Sequence, residues 1–182
     1  MKETIQLSLL RCVLTAGALA MAIQANATEE AHVHGLMHIN VAIDKQVLTI
    51  QLESPLDSLL GFENKPKTTT QRLAVDAMSK QMNDGAALFK PSIAAQCKLT
   101  KATVESAVFQ ATAPAGDKEE PHADLDASYE FTCAQPDKLT SVEIGLFQAF
   151  PRLQKIEVQV AGPKKQSKTS LSRPANTVKL KS

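Results

Sequence analysis

The sequence predicts an α+β protein, built mainly of antiparallel strands with one main helix and short helical turns. Three observations carry that expectation. Short segments alternate apolar and polar residues, at 31–43, 47–52 and 156–160 among others, as half-buried strands do. The link Asp44-Lys45-Gln46 is a tight turn between two of them, which makes a hairpin with one apolar face. One longer stretch, residues 71–83, carries its apolar side chains at helical rather than strand spacing.

Residues 1–27 stand apart from that fold. Lys2 and Arg11 are basic, residues 12–23 are apolar, and Ala25-Asn26-Ala27 supplies small residues. This is the pattern of a cleaved signal peptide, cut after Ala27, with Cys12 leaving alongside it. The apolar run is too short to span a bilayer as a helix, and no second stretch could cross a membrane once the signal is removed. The mature chain, 28–182, is expected to be one exported α+β domain, divisible into halves 28–110 and 120–182 joined by a loop at 111–120.

In order, the first strand, 31–43, places Val33, Met37, Ile39, Val41 and Ile43 on one face and His32, His34, His38 and Asn40 on the other. Residues 47–52 return antiparallel, and Pro55 ends that strand because proline lacks the ladder N–H. Leu56, Leu59, Leu60 and Phe62 give a short core-facing helix stopped by Gly61. Thr69 or Thr70 is the expected cap of the main helix, whose stripe is Leu73, Ala74, Ala77, Met78 and Met82, with Arg72 and Asp76 paired four residues apart and Gly85 past its end. Methionines at this spacing read as core filling. Residues 86–89 form a short apolar piece before Pro91, and 97–108 a strand or strand pair. From 111 to 127 the composition is that of a loop. Strands follow at 127–133, 139–146 and 156–160, with a helical turn at 147–150. The remainder is a basic solvated hairpin region, 161–172, and a last edge strand, 178–180. Two β-β-α pseudo-repeats can be laid over this order by aligning His34 with His122.

With residues 1–27 set aside, 18 basic and 18 acidic residues remain. So balanced a chain has no electrostatic grip on nucleic acid or anionic lipid. Its two remaining cysteines, Cys97 and Cys133, favour a disulfide in an exported protein, and the absence of a Cys-x-x-Cys spacing disfavours a zinc thiolate pair or a redox couple.

The chemistry lies with the histidines. Neutral imidazole is the commonest protein ligand for zinc, copper and nickel. His32 and His34 leave one strand face about 7 Å apart at Cα, close enough to share an ion. His38 lies roughly 13 Å beyond His34 along an extended strand, so it joins only if the chain bends at Gly35 or dangles freely as the new N-terminus. Zinc wants four ligands, and His122, Asp124 and Asp126, with Glu119 and Glu120 nearby, offer the other half of a nitrogen and oxygen set. The candidate metal residues are therefore His32, His34, His38, His122, Asp124 and Asp126. There is no Gly-rich phosphate loop, Gly-x-Ser-x-Gly or His-Glu-x-x-His. The chain is expected not to be an enzyme, since a zinc hydrolase on His32, His34 and His122 would have no marked general base. The competing class is a structural or protein-interaction module whose histidines are incidental.

The motifs His32-Val33-His34-Gly35, Leu52-Glu53-Ser54-Pro55, Leu60-Gly61-Phe62-Glu63, Tyr129-Glu130-Phe131-Thr132-Cys133 and Phe147-Gln148-Ala149-Phe150-Pro151 resemble those of the ZrgA-like periplasmic zinc-binding proteins over nearly the whole mature chain. The resemblance implies Zn²⁺ as the bound metal and a role in periplasmic zinc acquisition or homeostasis beside a zinc ABC importer and its solute-binding protein. Family members commonly carry a long His- and Asp-rich insert between two halves. The matching stretch here, 116–126, is short and has His122 as its only histidine, which implies a single site rather than a many-ion store.

Overall fold

The computed structural model describes residues 33–109, 123–163 and 165–180. The expected signal peptide at 1–27, His32, Glu119, Glu120 and His122 lie outside them. Among the described residues the strands are β1 (Leu36–Asp44), β2 (Val47–Pro55), β3 (Phe89–Pro91), β4 (Cys97–Ser106), β5 (Asp124–Cys133), β6 (Ser141–Ile144), β7 (Lys155–Ala161), β8 (Gln166–Ser172) and β9 (Thr177–Lys179). The helices are α1 (Leu56–Leu60), α2 (Thr69–Asn83), α3 (Gly85–Leu88) and α4 (Leu146–Ala149).

Six strands form one sheet in the order β4-β5-β2-β1-β7-β8, and three form a second in the order β3-β6-β9. Every pairing is antiparallel except β1 with β7. The α+β architecture, mainly antiparallel with one main helix, is therefore as the patterning implies. Period-two alternation puts Met37, Ile39 and Val41 of β1, Leu48, Ile50 and Leu52 of β2, and Ile156, Val158 and Val160 of β7 in the core. Tyr129 of β5 ties the layers together. Its hydroxyl donates to the Met82 carbonyl at 2.6 Å, and its ring lies 5.0 Å from that of Phe89. Burial pushes its phenol above the ordinary range.

Several boundaries differ from the sequence expectation. Strand β1 begins at Leu36, because Gly35 at φ +79° turns the chain out of the strand line. Strand β2 runs through Pro55, which takes the terminal register position opposite Asp124, where one missing ladder bond costs least. The cap of α2 is Thr68, not Thr69 or Thr70. Its hydroxyl accepts from the Gln71 N–H while the Gln71 side chain reaches back to the Thr68 N–H, closing a capping box. The buried stripe of α2 is Val75, Met78 and Met82, and Leu73 is 64% exposed. Both stripes share Met78 and Met82, so the spacing alone left the rotation of the helix open. Arg72 turns to the Lys67 carbonyl and the Thr69 hydroxyl rather than to Asp76. Gly85 opens α3 behind Asp84, whose carboxylate accepts from the Ala87 N–H.

The expected loop to 127 gives way to strand by Asp124, and the expected strand 139–146 is only Ser141–Ile144 behind a 3-10 turn at Pro136–Lys138. The basic segment after β7 forms strand β8. The two-fold repeat holds in element order but not in pairing. Strands β1 and β2 are hairpin neighbours, whereas β5 and β6 belong to different sheets. Cys97 and Cys133 form the expected disulfide, joining the start of β4 to the end of β5.

Candidate functional site

The bend at Gly35 decides where the first histidines go. Its N–H donates to the buried Ser58 hydroxyl at 2.8 Å, and its carbonyl accepts from the Gln154 and Lys155 N–H groups. Thus α1 grips the turn from one side and the approach to β7 from the other. Turned out of the strand, His34 meets the first turn of α1, where its Nδ1 lies 2.8 Å from Asp57 Oδ2. Helix α1 ends at Gly61 with φ 81°, and the reversal brings Glu63 back to the same imidazole, 4.0 Å from Nε2. The His34 side chain is 69% exposed, while those of Asp57 and Glu63 are 24% and 14% exposed. The result is an accessible imidazole between two sheltered carboxylates.

This corner suits a zinc ion. Asp57 on Nδ1 orients the ring, the usual part of a carboxylate behind a metal-ligating histidine. Nε2 then faces Glu63. With zinc bonds near 2.0–2.1 Å and tetrahedral angles, ligand atoms sit about 3.3–3.4 Å apart, so a shift of about 0.6 Å in the Glu63 side chain would complete a pair. Among the described residues no group of three or more His, Cys, Asp or Glu is already arranged around a metal position. His32, two residues before His34 in sequence, lies outside them, as does His122.

His38 remains on the outer face of β1 and does not join His34. The register sets it beside Glu53 on β2 and Glu157 on β7, with its Nδ1 4.0 Å from Glu157 Oε2. Glu157 is already engaged by two ammonium groups, Lys155 at 2.6 Å and Lys168 at 3.1 Å. Its hydrogen bond with Lys155, then that with Lys168, brings its carboxyl down to about 2. Two cations within reach make this the poorer place for a divalent ion.

Asp124 and Asp126 share one face of β5, as their spacing predicts. Asp126 stands directly between Glu53 of β2 and Glu105 of β4. Burial, then Glu53 and Glu105, raises its carboxyl above the ordinary 3.8. One lateral row therefore reads Glu105, Asp126, Glu53, His38, Glu157 from β4 to β7. Asp126 and His38 are two strands apart, about 10 Å at the backbone, with Glu53 in between. The sequence reading missed Asp57, Glu63, Glu53, Glu105 and Glu157. Only Glu53 left a signal, since the two-residue turn after Asp44 fixes it opposite His38.

No helix among the described residues is long and apolar enough to cross a membrane. No curated protein matches the chain. The family described as ZrgA family zinc uptake protein matches residues 31–180, a span that takes in both sheets, the disulfide and the His34 corner. The chain belongs to that family, and its role is in zinc uptake.

Proposed function

We propose that the protein is a non-enzymatic, periplasmic zinc binder that takes up Zn²⁺ as cargo at the His34 corner and assists its acquisition. The observation that carries this reading is the His34 imidazole, oriented through Nδ1 by Asp57 and facing Glu63 through Nε2. His32 and His122 supply the further ligands, which suits a site that closes on the ion instead of standing preformed. A cargo site must also release, and a nitrogen and oxygen set drawn from separate stretches of chain releases more readily than a closed structural thiolate site. Export through the leader at 1–27 puts the chain where a zinc ABC importer or its solute-binding protein would accept the metal.

Calorimetric titration of zinc into the chain from Thr28 tests this. The expected result is one-to-one binding with a Kd on the order of 1 µM or tighter. His34→Ala should remove most of that affinity. Asp57→Asn should weaken it by about tenfold or more, and His38→Ala should leave it nearly unchanged. Equal, weak binding by the wild type and a His32→Ala, His34→Ala, His122→Ala variant would sink the zinc reading and leave a structural or protein-interaction module with incidental histidines.

A further inference from the structure

At the far end of β1 from His34 the two sheets part and leave a cleft of about 780 Å³, within the range of small-molecule sites. Its floor is apolar, made by Ile43 of β1, Leu139, Val160 of β7 and Leu180. Leu139 and Val160 are core side chains, 2% and 4% exposed, and back the hollow, while the half-buried Ile43 and Leu180 supply most of the apolar surface open to a ligand. The rim is cationic. Among the described residues, Lys45 comes from the β1–β2 turn, Lys165 from the β7–β8 turn and Lys179 from β9, against one carboxylate, Asp137. Three separate parts of the chain thus deliver an ammonium group to one apolar hollow.

Lys45 adds an independent observation. It holds φ 51°, the left-handed region, at the first position of a two-residue hairpin turn, which such turns ordinarily give to glycine, asparagine or aspartate. A long cationic side chain at a position that disfavours any side chain beyond these points to a use for the ammonium group. Among the described residues the lining holds no histidine, and one carboxylate among three lysines is a poor place for a divalent cation.

We infer that this cleft binds a long-chain carboxylate as a free monomer, its acyl chain on the Ile43, Leu139, Val160 and Leu180 floor and its head group between Lys45 and Lys179. Burying the chain removes apolar surface from water, and the lysine stems extend the apolar wall while their ammonium groups meet the anion. A short anion gains too little burial, and a cationic amphiphile of equal length meets like charge. The site is separate from the His34 corner and does not depend on the zinc reading.

Dodecanoate titrated calorimetrically into the zinc-free chain from Thr28, below its micelle concentration, is the test. Saturable one-to-one binding with a Kd on the order of 10–100 µM is expected. A Lys45→Glu, Lys179→Glu variant should bind at least about tenfold more weakly with the same circular dichroism and the same zinc affinity, since both side chains are exposed. Dodecyltrimethylammonium and acetate should give no saturable binding to the wild type. The inference is overturned if dodecanoate shows no saturable binding, if the cationic amphiphile binds equally well, if the charge reversal changes nothing, or if the protein is captured only by phosphatidylglycerol vesicles.

Discussion

Glu105, Asp126 and Glu53 stand side by side across three strands, each directly opposite the next, an arrangement that destabilises a sheet. Burial first, and then the Glu53 and Glu105 carboxylates of that row, raise the carboxyl of Asp126. A folded state that holds its proton more tightly than the unfolded chain loses stability as pH rises from 3.8 through the raised value, and the loss is complete above it. Asp126→Asn should therefore raise the urea midpoint at pH 7, by under about 1 kcal/mol for so exposed a group, and give no gain near pH 3. A gain of the same size at both pH values would show that charge is not the cause. At His34 the carboxylates of Asp57 and Glu63 flank an imidazole that is exposed to solution.

The element that seats His34 is α1, only five residues long. Leu56 and Leu59 fix it in the core, and Ser58 then uses its hydroxyl on the Gly35 N–H and the Leu36 carbonyl. Ser58→Ala would leave the Gly35 donor buried without that partner, at about 1–3 kcal/mol. It should lower the urea midpoint and weaken zinc binding together, whereas a helix-surface change such as Leu73→Ala should leave zinc binding as it was. Apolar spacing was enough to place α1, α2 and the alternating strands, because each of these buries one face. It did not reveal Ser58 or the Asp57–His34 pair, since both depend on a bend at Gly35 that brings residues 22 or more positions apart into contact. The neighbour of His38 on β2 was readable from the hairpin register. Its neighbour on β7 was not, because no local pattern announces a parallel partner.

For the whole molecule, the six-stranded sheet is held at one margin by the Cys97–Cys133 disulfide, across 36 positions of sequence. Closing a loop of that length stabilises by about 3–4 kcal/mol through the unfolded state. Guanidinium melts with and without reductant should differ by about 2–4 kcal/mol, and a smaller difference would mean that the β4–β5 ladder alone holds that margin. The antiparallel majority and the pairing of the cysteines were readable from the sequence. The splitting of β5 and β6 between two sheets was not, because the partners of β6 are β3 and β9, distant in sequence, and no local period announces them. The single parallel pairing, β1 with β7, has a consequence in time. The Gly35 carbonyl is bonded by the Gln154 and Lys155 N–H groups, so the histidine turn is finished only after some 120 further residues have emerged. The turn that carries His34 therefore waits on the closure of a long loop, whereas the β1–β2 hairpin it leads into can form locally.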